Sequence, residues 1–204
     1  THEVSKLYGL KKRTRTGVLN ASILPKMIQT INMTESSVKK AGIKAKLMIM
    51  RCDGGVMSVD EVRSRPILTM LSGPAAGVAG ALMYEKVSNG IFLEVGGTST
   101  DISVIKNGKV MINYAEIGGH KTYVNSLDVR TVGIAGGSMI KVEDGKVVEV
   151  GPRSAHIANL PYAVYSDSND LKNSKIVYVK TNNDTNTYVA LENGEGNRFA
   201  ITLA

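Results

Sequence analysis

Residues 94–101 read Glu94-Val95-Gly96-Gly97-Thr98-Ser99-Thr100-Asp101 and stand between two short apolar runs, 91–93 and 102–105. The pattern predicts a strand, a glycine turn with hydroxyl side chains, and a second strand. Glycine lets the backbone approach an anion closely, and consecutive N–H groups in such a turn can form an anion-binding nest. Glu94 and Asp101 bracket the turn with carboxylates that can reach a phosphate-bound Mg²⁺ through its waters. Two interpretations follow: a phosphate-binding turn, or a β-turn whose hydroxyls satisfy their own backbone.

A second glycine-rich turn lies further along the chain, between apolar runs, and reads Thr131-Val132-Gly133-Ile134-Ala135-Gly136-Gly137-Ser138. Each of the two turns is followed by a strand and a tight hairpin. The hairpins fall at Asn107-Gly108 and Asp144-Gly145, dipeptides that favour type I′ turns. Because the plan repeats, we expect the two glycine turns to form two walls of a single cleft.

The composition limits the class of protein. A chain of 204 residues with 43% hydrophobic content can fold around one core, or form one lobe of a larger protein. It has neither a signal-peptide pattern nor an apolar run near the ~20 residues of a membrane span. Cys52 is the only cysteine, which excludes an intrachain disulfide and fits a reducing, cytoplasmic setting. Because the chain begins at Thr1 and ends in the apolar run 200–204, we expect a piece of a longer protein.

The net charge of +7 suits an anionic partner, and part of it lies in one block, Lys11, Lys12, Arg13 and Arg15. This block has three interpretations: a nucleic-acid patch, a solvated segment, or a face toward an acidic domain outside the chain. Aromatic residues make up only 5% of the chain, which leaves little surface on which bases can stack. We therefore predict neither a nucleic-acid nor a membrane partner.

Local patterns predict several elements in the first half of the chain. Apolar spacing indicates a helix over 18–40 and a buried strand over 45–50. Ser58 and Glu61 match a capping box at the start of a short helix. A helix rich in glycine and alanine follows, for which Ser72 is the predicted N-cap.

The second half is predicted to contain long irregular stretches. A polar linker is expected over 121–126, and a loop over 166–173. The last part reads as strands at 176–179, 187–191 and 199–203, the first two joined around Asn182-Asn183-Asp184. This tail is interpreted as an exposed antiparallel ribbon without chemistry.

An ordered set of motifs over about residues 1–155 resembles the hydantoinase A / 5-oxoprolinase family of the actin-like ATPase superfamily. The motifs are Thr1-His2-Glu3-Val4, Leu19-Asn20-Ala21 with Pro25, Asp53-Gly54-Gly55, Ser72-Gly73-Pro74-Ala75-Ala76-Gly77-Val78, Gly96-Gly97-Thr98-Ser99-Thr100-Asp101, Val132-Gly133 with Gly136-Gly137-Ser138, and Val150-Gly151-Pro152-Arg153-Ser154-Ala155. Each is short, but their order and approximate spacing are those of the family.

The resemblance implies an α/β fold: one lobe of an actin-like (ribonuclease H-like) ATPase, with a mixed sheet, β-hairpins and packed helices. Residues 1–165 would form the partial ATPase lobe, and residues 166–204 a truncated antiparallel β extension. The implied reaction uses ATP and Mg²⁺ to phosphorylate and open a cyclic amide such as a hydantoin or 5-oxoproline. The alternatives are a subunit of an ATP-dependent ketone carboxylase and a non-catalytic nucleotide-binding or assembly module.

The resemblance also implies roles for individual residues. The first turn would contact nucleotide phosphate through Gly96, Gly97, Thr98, Ser99 and Thr100. Asp101 would act on Mg²⁺ or its water as the catalytic acidic residue, and Glu94 would share the metal. Gly136, Gly137 and Ser138 would line the nucleotide or the substrate.

Three departures from the family pattern bear on function. Glu94 stands where the family usually has aspartate, and Ala135 where it usually has one more glycine. The family also has an N-terminal domain with its own Asp-Gly-Gly-Thr motif, which has no counterpart in this sequence. We therefore expect half of a phosphate site here, completed by an N-terminal lobe of the same protein, with a second hydantoinase subunit as a further partner. The 204-residue chain alone is predicted to be catalytically inactive.

Five other side chains carry two interpretations each. Asp53 is either a substrate-facing acid or part of an Asp-Gly-Gly turn, and the turn is preferred. Asp128 either orients substrate or metal or makes a cap. His120 and His156 are candidate acids or bases, although surface roles are favoured. Cys52 is a candidate nucleophile but more typical of a packed small residue.

Overall fold

The computed structural model describes residues 1–181 and 184–204, and these divide into two compact units. The first unit comprises residues 1–92 and 103–129, and the second comprises residues 93–102 and 130–204. The chain therefore enters the second unit briefly at the first glycine turn and returns to it just before the second. The predicted domain boundary between residues 165 and 166 does not coincide with this division into units. It therefore stays a prediction.

Helices predominate up to residue 85, and strands predominate from residue 90 onward. The helices are α1 (His2–Ser5), α2 (Leu10–Lys40), α3 (Val59–Ser64), α4 (Ser72–Glu85), α5 (Ala155–Ala158) and α6 (Ser168–Leu171), with 3₁₀ turns at Pro66–Thr69 and Ala163–Tyr165. The strands are β1 (Met48–Met50), β2 (Val56–Ser58), β3 (Gly90–Val95), β4 (Thr100–Lys106), β5 (Lys109–Val110), β6 (Ile112–Ile117), β7 (His120–Leu127), β8 (Val129–Val132), β9 (Ser138–Glu143), β10 (Lys146–Ser154), β11 (Lys175–Lys180), β12 (Thr187–Glu192) and β13 (Arg198–Ala200). Among the described residues, no helix has the length and apolar character needed to cross a membrane.

Helix α2 begins at Leu10, well before the predicted start at residue 18, and continues through Pro25. Polar tertiary contacts explain the earlier start. The hydroxyl of buried Thr16 accepts the N–H of Tyr123 at 3.0 Å. Further along, the side chain of Asn20 accepts the N–H of Ile67 at 3.2 Å. Apolar periodicity does not register such anchors, so the predicted helix was too short.

The two predicted helix caps have different outcomes. Ser58 accepts the N–H of Glu61 at 3.3 Å, as a capping box requires, although the carboxylate of Glu61 pairs with Arg65. The cap predicted at Ser72 is wrong. Ser72 is the first helical residue of α4, and Leu71 occupies the N-cap in the left-handed region with a φ of 62°.

Hairpins dominate the rest of the first unit. Asn107 and Gly108 both have positive φ between β4 and β5, as a type I′ turn requires. The linker predicted over 121–126 is wrong, because β6 and β7 form an antiparallel hairpin that turns at Gly118-Gly119. Strand β7 buries Thr122 and Ser126 beside Val124, so its inward face lacks the apolar alternation that identifies strands.

The first unit is packed around two apolar clusters. One joins α2, β2 and α3 through Ile31, Met57 and Val62. The other joins the 3₁₀ turn to the β6–β7 hairpin through Ile67 and Val124. Val62 and Ile67 are completely buried. These clusters explain why the first unit is compact without a large sheet.

The second unit is built on a sheet of order β10-β9-β12-β11, with β13 paired to β12. Its β9–β10 hairpin turns at Asp144-Gly145, as predicted. The strands of the tail form as expected, but their interpretation as an exposed ribbon is wrong. Tyr188, Ala190 and Ala200 are at most 1% exposed and form a core with Met139. Alternation showed that one face of the tail is apolar, but not that this face is covered. In the predicted turn at Asn182-Asn183-Asp184, the first two residues lie outside the described part of the chain.

Candidate functional site

The first glycine turn is a tight connection between β3 and β4. The N–H of Gly96 donates to the carbonyl of Ser99 at 3.0 Å, which leaves Gly97 and Thr98 at the tip. Counting outward from this bond, the ends of the two strands face each other, and Glu94 stands opposite Asp101. In a regular antiparallel pair, side chains at such opposite positions have Cβ atoms about 5 Å apart, which would place both carboxylates at the same side of the turn.

The tip of this turn is open to solvent. Gly97 and Thr98 are exposed, and a Cβ added at Gly97 would meet no atom within 4 Å. Within the described residues, the N–H groups of Gly97, Thr98 and Ser99 donate to no acceptor. Consecutive unpaired donors and free space beside Gly97 are two of the features that an anion-binding turn needs.

The second glycine turn holds the first by direct hydrogen bonds. The N–H of Gly136 donates to the carbonyl of Gly96 at 3.1 Å, and that of Gly137 donates to Gly97 at 2.8 Å. The Thr100 hydroxyl adds a bond of 2.6 Å to the carbonyl of Ile134. The structure thus brings the two predicted turns together. They are hydrogen-bonded directly to each other rather than facing each other across a cleft. The N–H groups of Gly136 and Gly137 are already used in these contacts.

Inside the second turn, a buried serine closes the backbone. Ser138 is fully buried, its hydroxyl accepts the N–H of Ala135 at 2.9 Å, and its own N–H donates back to Ala135 at the same distance. Ala135 has no positive φ, so an alanine fits where the family usually has glycine. The predicted contact of Ser138 with nucleotide or substrate stays a prediction, because no ligand is present.

Two glycines are required by close approach. A Cβ on Gly137 would lie 2.4 Å from the Gly97 carbonyl oxygen and 2.5 Å from the Tyr162 hydroxyl. Gly151 has a φ of 73°, and a Cβ there would lie 2.5 Å from the carbonyl oxygen of Gly133. The sequence pointed to both glycines only through motifs. Tyr162 follows an unremarkable Leu-Pro pair, and no pattern in the sequence signalled its position.

Asp101 keeps part of its carboxylate available. One oxygen, Oδ1, accepts the hydroxyl of Thr131 at 2.5 Å, and the carboxylate is half-buried, whereas Glu94 is exposed. Within the described residues, no group of three or more His, Cys, Asp or Glu side chains could hold a metal ion. Mg²⁺ bound to nucleotide needs only one or two carboxylates because phosphate oxygens and waters complete its shell, so this donor pair fits that ion.

The alternative candidates in the first unit have structural surroundings. Asp53 accepts the N–H of Gly55 at 3.1 Å and pairs with Arg51, which supports its interpretation as a turn residue. Cys52 is 1% exposed, and burial, with a contribution from Asp53, raises the pKa of its thiol to about 11. A thiol with that pKa is not an effective nucleophile at neutral pH. His120 is exposed at the β6–β7 turn, which fits the surface role favoured for it.

Asp128 and His156 lie in different units. Asp128 is half-buried in the first unit, where its backbone carbonyl accepts the hydroxyl of Ser103 at 2.8 Å. His156 is exposed on α5 of the second unit. In the described part of the chain, no catalytic partner is visible for the imidazole of His120, the imidazole of His156 or the carboxylate of Asp128.

The basic block is partly used inside the first unit. The ammonium of Lys12 lies 5.6 Å and 5.3 Å from the ring centroids of Tyr114 and Tyr123, and Arg13 donates to the hydroxyl of Thr1. Such cation–π contacts stabilise a charged side chain at a surface. This favours a solvated segment with local contacts over a nucleic-acid patch.

Comparison with known proteins gives a consistent result. A profile of the hydantoinase/oxoprolinase family matches residues 13–189. Caprolactamase subunit alpha of Pseudomonas jessenii is 30% identical over 160 residues, covering 76% of this chain and 23% of the relative. The 5-oxoprolinase of Saccharomyces cerevisiae is 30% identical over 158 residues, covering 75% of this chain and 12% of the relative.

Solved structures show the same fold. The crystal structure of ATP-dependent caprolactamase from Pseudomonas jessenii has a TM-score of 0.62 and 30% identity, covering 78% of this chain and 24% of that one. A nucleotide-free acetone carboxylase structure has a TM-score of 0.62 and 25% identity, with 76% and 22% coverage. The predicted α/β fold class is confirmed. The chain spans about a quarter or less of the length of these relatives.

Proposed function

The chain belongs to the hydantoinase/oxoprolinase family, and we propose that it supplies a phosphate-binding lobe to an ATP-dependent enzyme that opens cyclic amides. The substrate class is a hydantoin, 5-oxoproline or a related lactam. One observation carries the proposal: in a chain of this family, three free N–H groups line the exposed tip of the turn after β3. The names of two relatives, 5-oxoprolinase and ATP-dependent caprolactamase, fit this substrate class.

The first turn would bind phosphate through its backbone. The N–H groups of Gly97, Thr98 and Ser99 are the donors, and the absence of a side chain at Gly97 lets the anion approach them. Gly96 and Thr100 flank the tip and keep its shape through their bonds to the second turn. ATP, when bound, would supply the phosphoryl group that activates the amide oxygen of the substrate. The turn itself orients and neutralises phosphate, which is most of what catalysis of phosphoryl transfer requires.

Asp101 and Glu94 would hold Mg²⁺, usually through water. Thr131 fixes one oxygen of Asp101, so the carboxylate keeps a defined orientation and still offers its other oxygen. Glu94 is longer than the aspartate usual in the family, but as an exposed side chain it has room to adjust. Asp101 is therefore the acidic residue to which we assign the Mg²⁺-bound water.

Gly136, Gly137 and Ser138 would act on the nucleotide site mainly by supporting the first turn. The first two donate their N–H groups to the first turn, and Ser138 closes the second turn internally. They therefore determine the position of the phosphate-binding donors. A direct contact with nucleotide or substrate would use the remaining exposed edge of the second turn.

The rest of the enzyme would come from outside this chain. The chain spans 23% of caprolactamase subunit alpha, whose name also implies a partner subunit. An additional lobe would close on the nucleotide from the other side and complete the phosphate site. We therefore expect the 204-residue chain to bind Mg-ATP weakly and to hydrolyse none.

Calorimetry with Mg-ATP on this chain and on a longer protein that contains it tests the proposal. We expect weak binding to the chain, and tighter binding with substrate-stimulated ATP hydrolysis in the longer protein. Absence of stimulated hydrolysis with every hydantoin, oxoproline and lactam tested would contradict the cyclic-amide assignment. Substrate-dependent turnover by the 204-residue chain would contradict the half-site assignment.

A ketone carboxylase is the second candidate, because an acetone carboxylase structure matches this chain with the same TM-score as caprolactamase. Both reactions would use the same phosphate-binding turn. The requirement for bicarbonate separates them: ATP hydrolysis that depends on a ketone together with bicarbonate indicates carboxylation, whereas hydrolysis that depends on a cyclic amide alone indicates ring opening.

A further inference from the structure

The Tyr162 side chain lies against the contact between the two glycine turns. Its hydroxyl oxygen and the Gly97 carbonyl oxygen both crowd the point where a Cβ of Gly137 would be, at 2.5 Å and 2.4 Å. A ring carbon of Tyr162 lies 3.0 Å from the same point. Gly137 is therefore packed closely against both the first turn and the tyrosine ring.

The sheet of the second unit fixes the position of this ring. Tyr162 forms a β-bridge with Ala200, and the neighbouring Pro161 carbonyl accepts the N–H of Ala200 at 2.8 Å. The hydroxyl of Ser166 donates to the carbonyl of Tyr162, also at 2.8 Å. The ring packs against the core cluster that contains the fully buried Ala200. A side chain held at its backbone and along its ring is a rigid support.

The backbone carbonyl of Gly137 is also held by a hydrogen bond. Its carbonyl accepts the N–H of Ala155 at 2.9 Å, while its N–H donates to Gly97 at 2.8 Å. A shift of Gly137 would disturb its bond to Gly97, its bond to Ala155 or its close contact with Tyr162. The spacing between the two turns is therefore set from the core side.

We infer that Tyr162 is a positioning residue for the phosphate-binding turn, acting through Gly137. The tyrosine ring limits the movement of Gly137 and so keeps the Gly137 N–H on the Gly97 carbonyl. That bond fixes the peptide unit that contains both the Gly97 carbonyl and the free N–H of Thr98. In the described part of the chain, the Tyr162 hydroxyl has no hydrogen-bond partner, so the contact works by packing. The inference deepens the proposed function and rests on it for its link to nucleotide.

Hydrogen exchange of the Gly136 and Gly137 amides, measured by NMR without nucleotide, tests the positioning itself. Truncation of the ring in Tyr162→Ala is expected to speed exchange at both amides by about tenfold, because the local opening becomes easier. The Tyr188 and Ala190 amides in the core should keep their protection. Tyr162→Phe retains the ring and should stay within about twofold of the wild-type rates. The matched control is Tyr178→Ala, which removes a tyrosine that is 58% exposed on β11 of the same unit and should change nothing at the turns.

Mg-ATP affinity measured on the same variants links the positioning to function. We expect Tyr162→Ala to weaken binding by about tenfold and Tyr162→Phe to restore it. Unchanged exchange at Gly136 and Gly137 in Tyr162→Ala would overturn the inference, as would faster exchange throughout the core. If the wild-type chain binds no Mg-ATP while Tyr162→Ala still releases these two amides, the phosphate function fails and the positioning contact stands.

Discussion

The glycine turns at 96–99 and 133–138 have similar sequences but opposite surroundings. The first is exposed at its tip and has free N–H groups and open space beside Gly97. The second is packed, with Ala135 2% exposed and Ser138 fully buried, and the N–H groups of Gly136 and Gly137 already have acceptors. A glycine pair thus serves two physical purposes in this chain: at Gly97 it leaves space for a ligand, and at Gly137 it removes a clash.

The difference arises from what each turn packs against. The second turn bonds to the first through Gly136 and Gly137, and it also lies close to Gly151 and Tyr162. The first turn meets the second on one side only, and its other side faces solvent. A layered arrangement results, in which the core supports the second turn and the second turn supports the first.

The largest expected effect comes from a methyl group at Gly137. Gly137→Ala places a Cβ at 2.4 Å from the Gly97 carbonyl oxygen and 2.5 Å from the Tyr162 hydroxyl. Overpacking of this kind costs about 1–3 kcal/mol, so we expect the free energy of unfolding to fall by that amount and Mg-ATP binding to be lost. Urea unfolding and calorimetry measure the two effects.

The matched control is Gly97→Ala. A Cβ there meets no atom within 4 Å, so stability should change by less than about 0.5 kcal/mol. Binding of Mg-ATP should nevertheless weaken about tenfold, because the methyl group would occupy space used by phosphate. Equal destabilisation by the two substitutions would contradict the difference between the turns.

The second prediction concerns the buried hydroxyl of Ser138. Ser138→Ala leaves the N–H of buried Ala135 without its acceptor at 2.9 Å, and an unsatisfied buried donor costs about 1–3 kcal/mol. Thermal unfolding should show this loss. Ser99→Ala is the counterpart in the first turn, and there a change of less than about 0.5 kcal/mol is expected. A stability loss at Ser99 as large as that at Ser138 would mean that the first turn is also internally braced.

The third prediction concerns the carboxylate beside the exposed turn. Asp101→Asn should weaken nucleotide binding about tenfold with magnesium present and much less without it, since the amide no longer attracts the cation. Thr131→Val removes the hydroxyl that orients Asp101 and should cost about threefold. Calorimetry with and without Mg²⁺ provides the measurement. Identical losses under both conditions would exclude Asp101 as the magnesium residue.

The smallest effect on the turns is expected from Asp184, whose side-chain contacts are with Arg153, Asn186 and Tyr188 rather than with either turn. Its carboxylate accepts the hydroxyl of Tyr188 at 2.6 Å and the N–H of Asn186, and it pairs with Arg153, close to Gly151 in the chain. These contacts, led by the Tyr188 bond, hold the pKa of Asp184 at about 2, below its ordinary value of 3.8.

A lowered folded-state pKa means that this stabilisation is present above about pH 4 and is lost as the pH falls toward 2. Asp184→Asn should therefore be less stable than wild type at pH 7, and the difference should shrink steadily between pH 4 and pH 2. Nucleotide affinity at pH 7 should change by less than about twofold. Urea unfolding at a series of pH values measures the first effect. A stability difference that is constant down to pH 2 would show that the Asp184 charge is not responsible.

Much of the fold was predictable where a few adjacent residues determine it. Asn107-Gly108 and Asp144-Gly145 impose positive φ on both turn residues, so the two hairpins follow from the sequence. The capping serine at Ser58 is equally local. The β6–β7 hairpin was not predicted because Thr122 and Ser126 point inward and satisfy their hydroxyls with backbone carbonyls. Buried polar residues of this kind remove the apolar alternation on which prediction depends.

For the candidate site, the sequence identified the two glycine turns but not their relationship. Similar motifs predicted two walls of a cleft, whereas the hydrogen bonds from Gly136 and Gly137 join the turns directly. That contact links residues far apart in the chain, and no local pattern encodes it. Tyr162 was missed for the same reason. Its position depends on a β-bridge to Ala200 in the tail, and the alternation of apolar residues in the tail does not reveal that Ala200 is buried.

The excursion of the chain between the two turns has a consequence for recombination. Residues 103–129 belong to the first unit, so the halves of the bonded turn pair are encoded on either side of a separate structural block. A gene crossover within that block would join a first turn from one parent to a second turn from another. The chimera still needs a glycine at position 137, because a side chain there would clash with the carbonyl at position 97. Exchanging the whole block 103–129 instead leaves both turns with one parent and moves the mixed contacts to the cluster of Ile67 and Val124 in the first unit.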